Sequence, residues 1–501
     1  MKLYRLYIFA AIVCTGLFGT GCSDWLDYTP EDKQTYDKQF STEEGFHNAV
    51  NGCYNLLISG SLYGYNLTYG PIEAMGNCYF IPDNNEPMKE YSSATYDGSY
   101  ATATFSGIWS SAYNTILNIN TVLSAMDEFP DVLRARDAAM IKGEMLGLRA
   151  FIHLDLVRLF GVSPYKAEAM ESLTVPYADT KEIIRRDRLT LSDIINNKII
   201  PDLTLAQELL RDSDPIITDG VLNSTEDDVS NWDRYRQMRM NYYAVTLVKA
   251  RAYLWIKDYT NALKEANSLI EDPSFSTTFP WVEPGTLLGN TTDPDRVFST
   301  ECLFGYYKST MSDIYENYFA GSLNDKVQLH PAREYVSSRL FTSPFDYRLL
   351  SQWAGSLSAV TDYDFVKYRS FTPNEDNPEF WATFFGLIRK SEAYLIAAEC
   401  RLNTMDFTGA ANAMNTLREA RGLDPIESDN SMMLAMQLLP EIKLEYCRDM
   451  RGEGQIFFLH KRNWQSFSNN KQFDGSGTNI NYDRPTSEQR YTVPIPASEN
   501  Y

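Results

Sequence analysis

The sequence predicts a mainly α-helical protein: a tetratricopeptide-like helical-repeat scaffold with long aromatic-rich loop and short-strand insertions. Two observations support this prediction. A helix-pair pattern occurs twice along the chain, and the stretches between the helical runs are rich in aromatic, Gly, Asn, Asp and Ser residues. Because a single helix pair of this kind cannot bury its apolar face alone, we expect three or four stacked units.

The repeat becomes visible when the chain is shifted against itself by 148 positions. The string ARAYL at 250–254 then lies over AECRL at 398–402, Asp258 falls on Asp406, and Tyr259 falls on Phe407. In each copy we predict that a first helix ends in a short Asp-aromatic turn and that a second helix begins at once. Small residues let the paired helices approach closely, and the aromatic fills the remaining gap, as is typical of tetratricopeptide units.

Helical periodicity predicts further long helices at about 105–126, 138–160 and 438–458. The last two are candidates for the remaining repeat units. Between the helical runs, residues 271–385 hold 23 aromatics in 115 positions, against 13% overall, and residues 60–113 show a similar excess. Loops this long in a compact protein are usually functional. We therefore predict an N-terminal lobe at 41–240 and a C-terminal lobe at 241–501 that carries a ligand-loop insertion at 271–385.

The N-terminus is typical of a secreted, anchored protein. Lys2 and Arg5 precede an apolar run at 6–18, which is shorter than the ~20 residues needed to span a bilayer, and small residues follow just before Cys22. We expect residues 1–21 to be a lipoprotein signal peptide, with Cys22 as the acylated mature N-terminus and 22–40 as an extended tether. The alternative is an ordinary signal peptide that happens to end near a cysteine.

The composition excludes several classes of function. A net charge of −21 argues against binding to nucleic acid or to anionic lipid. The cysteines after Cys22 are scattered without a CxxC pair, which fits neither a disulfide framework nor a zinc site, so we expect buried free thiols. HExxH, GxSxG, Walker and GxGxxG motifs are absent. The sequence therefore predicts no catalytic residues, no metal site and no cofactor.

Eight short strings, in a fixed order, resemble the SusD/RagB family of outer-membrane lipoproteins over nearly the whole mature chain. They are CSDWLD at 22–27 with Pro30, IWSSAY at 108–113 continued by NTVL at 120–123, RAF at 149–151 with LVRLFG at 156–161, EAYLIAAE at 392–399, LREARG at 417–422 and VPIP at 493–496. The segment 451–462 (RGEGQIFFLHKR) departs from the family's EGxRWxDLxR-like string, because Trp and Asp are replaced. We interpret this departure as local repacking.

The resemblance implies a protein that binds oligosaccharide at the cell surface, lipid-anchored in the outer membrane, and passes it to a SusC-like TonB-dependent transporter without catalysis. In the family, inserted loops form the ligand site. Aromatic faces beside amides suit sugar rings and their hydroxyls. We accordingly predict that Tyr65, Tyr79, Asn84, Trp281 and Tyr306 contribute to a ligand surface, although any one of them could instead be a core residue. Trp109 and Tyr113, on a helical face, are predicted to be structural.

Two other functions remain open at this point. A glycoside hydrolase would need two opposed carboxylates about 5–9.5 Å apart, and 66 acidic residues do not exclude such a pair. A scaffold that binds only protein would instead pack its aromatic loops inward.

Overall fold

The computed structural model of the chain describes residues 31–76, 79, 81, 85–223, 230, 232–289, 294–320, 329, 336, 340–354, 364–369, 380–465, 472–473, 479–480 and 486–499. Helices dominate these ranges, which confirms the predicted mainly α fold. The helices are α1 (Glu31–Gln39), α2 (Glu43–Leu57), α3 (Pro71–Met75), α4 (Glu86–Ser92), α5 (Ser99–Glu128), α6 (Ala135–Phe160), α7 (Leu191–Ile194), α8 (Ile200–Ser213), α9 (Ile216–Asp219), α10 (Tyr242–Trp255), α11 (Tyr259–Ile270), α12 (Pro273–Thr278), α13 (Ser312–Ile314), α14 (Tyr347–Gln352), α15 (Lys390–Asn403), α16 (Phe407–Glu419), α17 (Ser431–Asp449), α18 (Ile456–Arg462) and α19 (Ser487–Tyr491).

The strands are short and pair only as two-stranded antiparallel ribbons within the described ranges. They are β1 (Leu173–Pro176) with β2 (Arg188–Thr190), β3 (Cys302–Tyr307) with β6 (Phe384–Arg389), β4 (Trp353–Ala354) with β5 (Asp364–Phe365), and β7 (Gln472–Phe473) with β8 (Asn479–Ile480). The β3–β6 ribbon joins a strand inside the predicted insertion to the C-terminal end of that insertion, since Tyr307 lies opposite Phe384.

The two Asp-aromatic turns are confirmed as matching connections between paired helices. The Asp258 carboxylate accepts a hydrogen bond from the backbone N–H of Asn261 at 3.1 Å, and Asp406 accepts one from Gly409 at 2.9 Å. The residues just before them, Lys257 and Met405, adopt left-handed φ angles of 61° and 64°. The same backbone turn therefore recurs 148 residues apart, and in both copies the aspartate caps the second helix.

The long helices form a continuous array in which each packs mainly on its neighbours. α2 packs on α5, α5 on α6, α6 on α8 and α8 on α10; α10 packs on α11, α11 on α15, α15 on α16, and α17 closes the array against α15 and α16. A single apolar core runs through this array and includes residues on both sides of the predicted lobe boundary at 240/241. Packing from neighbour to neighbour is typical of stacked helix repeats.

The predicted single helix over 438–458 is wrong, because α17 ends at Asp449 and α18 begins at Ile456. The intervening turn contains Gly452 and Gly454 at φ angles of 76° and 74°, which only glycine adopts without strain. Their backbone N–H groups donate to the two carboxylate oxygens of Glu73, at 2.9 and 3.1 Å. A turn of the C-terminal region is thereby hydrogen-bonded to α3, near the start of the chain.

The extended tether predicted for 22–40 is wrong over Glu31–Gln39, which form α1. The Tyr36 ring packs 5.0 Å from Phe40 and 6.1 Å from Phe129, and Phe40 is itself buried. Apolar packing against the end of α5 therefore holds this segment on the body of the protein. Residues 22–30 lie outside the described residues.

Four of the scattered cysteines are free and buried, as predicted: Cys53, Cys302, Cys400 and Cys447. Cys22 and Cys78 lie outside the described residues. Among the helices that the structure describes, none is long and apolar enough to cross a membrane.

A network of buried ion pairs connects β6, α14, Glu301 just before β3 and Arg421 just after α16 to the end of α17. The Asp449 carboxylate accepts hydrogen bonds from Arg421 at 2.9 Å and from Arg348 at 3.2 Å, and it pairs with Arg389 at 2.8 Å. Arg421 also makes a two-pronged pair with Glu301, at 2.7 and 2.6 Å. All of these side chains are buried, so the network links elements far apart in sequence inside the C-terminal half.

Candidate functional site

Three tyrosines from two distant segments, Tyr65, Tyr69 and Tyr318, are in ring contact with one another. Tyr315 lies on the same helical turn as Tyr318, and we call these four residues the tyrosine cluster. The rings of Tyr65 and Tyr318 stack with centres 4.9 Å apart and an angle of 28° between planes. Tyr69 lies 5.5 Å from Tyr65 and 5.6 Å from Tyr318. Tyr65, Tyr315 and Tyr318 are half-buried, while Tyr69 is buried. Parts of three aromatic rings therefore remain open to solvent.

The segment that carries Tyr65 is braced by its own hydrogen bonds. The Thr68 hydroxyl donates to the Tyr63 carbonyl at 3.0 Å, and the Tyr69 hydroxyl donates to the carbonyl of Gly64. The Tyr306 hydroxyl, from β3, donates to the same Tyr63 carbonyl at 3.1 Å. These hydrogen bonds fix the turn of residues 58–70 against the β3–β6 ribbon.

Tyr315 and Tyr318 lie in a single helical turn, Tyr315–Phe319, that follows α13. The buried Phe319 anchors this turn, because its ring packs 5.3 Å from Phe365 and 6.2 Å from Tyr368. The two tyrosines remain half-buried on the same turn. The packing of Phe319 therefore holds the turn on which Tyr315 and Tyr318 lie.

Charged groups border the cluster. The Arg369 guanidinium lies 5.5 Å from the centre of the Tyr315 ring, Asp364 hydrogen-bonds Tyr315, and the Asp313 side chain is exposed. Burial, followed by the nearby Asp364 carboxylate, raises the pKa of Tyr315 above its ordinary value. Burial likewise raises the pKa of Tyr65, Tyr69 and Tyr318. These hydroxyls stay protonated at neutral pH, so they can donate as well as accept hydrogen bonds.

The predicted ligand residues fall into different environments. Tyr65 is in the tyrosine cluster. Tyr306 is 6% exposed and stacks on Phe385 at 5.2 Å, which in turn lies 5.6 Å from Tyr69. Tyr79 is 3% exposed, and its hydroxyl donates to Glu73 at 3.0 Å. Both rings therefore pack into the protein beside the cluster rather than on its open face.

Of the remaining two predicted residues, Trp281 lies apart from this cluster. Trp281 packs on Tyr394 at 5.2 Å and lies 4.4 Å from the Lys390 ammonium group, beside α15. Asn84 lies outside the described residues. Ligand binding by the five predicted residues stays a prediction, and solvent access favours Tyr65 over Tyr79 and Tyr306. The sequence reasoning did not single out Tyr318; the aromatic density of 271–385 was its only signal.

A cavity of about 720 Å³ lies elsewhere in the described part of the protein and is called the α5 groove here. One wall is α5, with Trp109, Tyr113 and Leu117; the other is the β1–β2 connection at 177–187; Ile495 and Glu499 close one end. Trp109 is only 6% exposed and packs edge-on against Phe160 at 5.2 Å. The residues predicted to be structural thus pack into the core and also line a groove, which sequence could not show because its walls are distant along the chain.

The described residues contain no group of three or more His, Cys, Asp or Glu side chains placed to hold a metal ion.

An array of stacked helix pairs with an aromatic surface on inserted segments defines a helical-repeat binding protein. Residues 24–219 match the SusD-like family model described as starch-binding and associating with the outer membrane, and residues 353–500 match the SusD family model. The chain belongs to the SusD/RagB family, as the ordered sequence strings predicted.

Individual relatives agree with this placement. A SusD-like protein of Formosa agariphila is 23% identical over 315 residues, which cover 61% of this chain and 51% of that protein, so the match spans about half of the relative's length. A SusD superfamily protein of Bacteroides thetaiotaomicron has a TM-score of 0.67 at 19% identity, covering 92% of this chain and 97% of its own. A SusD-like carbohydrate binding protein of Bacteroides vulgatus has a TM-score of 0.63 at 21% identity, covering 86% of each chain. These solved structures share the fold.

Proposed function

We propose that the protein binds an oligosaccharide at the tyrosine cluster and delivers it, without catalysis, to a SusC-like TonB-dependent transporter. The stack of Tyr65 on Tyr318 is the observation that carries the proposal. The protein works from the outer membrane, anchored through acylated Cys22 and facing the cell surface. Family membership supports carbohydrate binding at the outer membrane, and delivery to the transporter is the further step that we propose.

The chemistry of the cluster suits a sugar. Half-buried tyrosine rings offer flat apolar faces to the C–H side of a pyranose, and a few polar groups beside them fix its orientation. Arg369 and Asp364 next to Tyr315, together with the exposed Asp313, supply donors and acceptors for hydroxyl groups. Because the rings are already stacked and braced, little ordering is needed on binding, which favours affinity.

Isothermal titration of single variants tests the site. A glycan screen with the acyl-free chain from residue 23 first identifies a ligand, beginning with starch oligosaccharides because the matched family model names starch. Tyr65→Ala and Tyr318→Ala should each weaken binding about tenfold or more, which corresponds to about 1.4 kcal/mol. Tyr65→Phe should retain most of the affinity, because the ring face carries the contact.

Tyr100→Ala is the matched control, since Tyr100 is an exposed tyrosine in the first turn of α5 and lies outside the cluster. Its affinity for the glycan should equal that of the parent. Unchanged affinity in both Tyr65→Ala and Tyr318→Ala would remove the cluster from the binding site.

The same ligand distinguishes the two alternative functions. Incubation with the glycan should produce no new reducing ends; their appearance would show a glycoside hydrolase and overturn the non-catalytic assignment. A screen that stays blank for every glycan would favour a protein-only scaffold subunit. Delivery itself is tested by co-purification with a transporter from the native outer membrane, and recovery of the protein without one would contradict it.

A further inference from the structure

The α5 groove exposes apolar side chains along its loop wall. Ile183 and Ile184 are 89% and 64% exposed, and both face the cavity that Trp109, Tyr113 and Leu117 line from α5. Uncovered apolar surface of this kind marks a place where another chain segment or partner binds. The same wall continues as Arg185-Arg186-Asp187-Arg188, a locally basic string in a chain whose net charge is −21.

Hydrogen bonds hold the groove walls in place. The Tyr113 hydroxyl donates to the Pro176 carbonyl at 2.7 Å, and the Asn120 side chain donates to the carbonyls of Ala178 and Thr180 at 3.0 and 3.1 Å. His153 accepts a hydrogen bond from the Ala178 N–H at 3.1 Å. The loop wall is therefore tied to α5 and α6, and the groove is already formed rather than created by a ligand.

The chain enters the fold beside this groove. Lys181, in the loop wall, pairs with Glu128 at the end of α5, and its ammonium group lies 4.7 Å from the centre of the Tyr36 ring in α1. α1 begins at Glu31. The segment that precedes Glu31 therefore starts within one short helix of the groove wall.

We propose that the α5 groove is the docking site for the chain's own N-terminal segment, residues 23–30. This segment reads Ser-Asp-Trp-Leu-Asp-Tyr-Thr-Pro, with three large apolar or aromatic side chains (Trp25, Leu26, Tyr28) and two aspartates. The apolar side chains cover Ile183, Ile184 and the α5 wall, and the aspartates lie against the basic string at 185–188. Burial of apolar surface drives the docking, and the opposite charges set its direction.

The length of the N-terminal segment, residues 23–30, is comparable with the length of the α5 wall that it would cover. Trp25 precedes Glu31 by six residues, which extend to about 20 Å at about 3.3 Å each. Along α5, fourteen residues separate Glu128 from Asn114, which lines the groove, and a helix covers that distance in about 21 Å. A segment of this length can therefore lie along most of the stretch of α5 between Glu128 and Asn114.

Paired cysteines test the docking in the full mature chain, with Cys22→Ser replacing the anchor. Leu26→Cys combined with Ile184→Cys should crosslink within the chain through a short bis-maleimide at least tenfold faster than Leu26→Cys combined with Asp131→Cys. Asp131 is the matched control because it is exposed and lies two residues beyond Phe129, which contacts Tyr36. Equal rates for the two pairs would overturn the proposal.

A second measurement avoids introduced cysteines. Chymotrypsin cleavage after Trp25 or Tyr28 should be at least tenfold faster in Ile183→Asp/Ile184→Asp than in the parent, because the docked segment is released. Met432→Asp/Met436→Asp, on the exposed face of α17, is the control and should leave the rate unchanged. If the parent is cleaved as fast as the groove variant, the segment is not docked. If the groove binds only another protein, the parent and the groove variant should likewise be cleaved at equal rates. Equal rates therefore overturn the proposal in either case.

Discussion

Asp449 shows how much of the structure depends on single buried charges. Burial alone would raise the pKa of its carboxyl, but the guanidinium groups of Arg389, Arg421 and Arg348 outweigh that effect and hold the pKa well below its usual range. A carboxyl whose pKa is lowered by folding contributes stability that is fully present above its unfolded pKa of about 3.9. That contribution is lost only as the pH falls below this value toward the folded pKa.

We predict that Asp449→Asn lowers the free energy of unfolding by about 3–5 kcal/mol at neutral pH, because it leaves buried guanidinium groups without their counter-charge. Urea denaturation followed by circular dichroism measures the change. Asp212→Asn is the control, since the Asp212 side chain is 80% exposed and pairs only with the adjacent Arg211 among the described residues. A loss below 1 kcal/mol for Asp449→Asn would mean that the network contributes little to stability.

At the scale of the element, the aspartate of each Asp-aromatic turn caps the second helix in both copies of the repeat. Asp258→Ala and Asp406→Ala each remove a helix cap, and each should lower the free energy of unfolding by about 0.5–2 kcal/mol. The double variant should lose about the sum, because the two caps share no hydrogen-bond partner. Urea denaturation of the three variants checks this.

Asp258→Asn and Asp406→Asn are the matched variants, since asparagine caps a helix about as well as aspartate. They should retain most of the stability. If the alanine variants are as stable as the parent, the turns are held by packing of Tyr259 and Phe407 rather than by their caps.

Elements that depend on local periodicity and capping were predictable from the sequence. The helix pairs at 242–270 and 390–419 follow from the spacing of small residues and the two aspartates. The break between α17 and α18 was missed, because it depends on Glu73, nearly 380 residues earlier, capturing the amides of Gly452 and Gly454. The α1 helix was missed for a related reason: its polar sequence is held by contacts with Phe129.

The candidate site was only partly predictable, because it too depends on contacts between residues that are far apart in sequence. Composition located the aromatic-rich segments and included Tyr65, but the pairing of Tyr65 with Tyr318 joins residues 253 positions apart. Tyr306 and Tyr79 also lie in aromatic-rich stretches of sequence. In the structure, however, the Tyr306 ring stacks on Phe385 and the Tyr79 ring packs near Phe319. Residue type alone does not distinguish a ring that packs inward from one that remains open.

At the scale of the molecule, contacts between distant parts of the chain tie the two predicted lobes together. Arg158 in α6 donates a hydrogen bond to the side-chain oxygen of Gln455, just before α18, at 2.7 Å. Lys461 in α18 donates to the carbonyls of Leu159 and Gly161 at the end of α6, at 2.8 and 2.7 Å. Because these contacts join the two predicted lobes, a single lipid anchor at Cys22, as we propose, is sufficient to hold both at the membrane.

That anchor gives a prediction for the whole molecule. In the native host, Cys22→Ser should move the protein from the outer-membrane fraction to the soluble fraction, because the variant lacks the cysteine that we propose to carry the anchoring acyl chains. Incorporation of labelled fatty acid should be lost at the same time. Fractionation and labelling measure both, with Cys53→Ser, a buried thiol, as the control. Continued membrane retention of the unlabelled variant would contradict the proposed anchor.

The residues of the tyrosine cluster come partly from a segment that matches the family models and partly from the stretch between the two matched segments. Tyr65 lies inside the N-terminal match to the family, which ends at residue 219, whereas Tyr315 and Tyr318 lie between the two matched segments, the second of which begins at residue 353. One side of the cluster thus lies within a matched segment, and the other side lies between the two matched segments. Exchange of the segment that carries Tyr315 and Tyr318 should therefore alter one side of the proposed sugar site while the helix array keeps its packing.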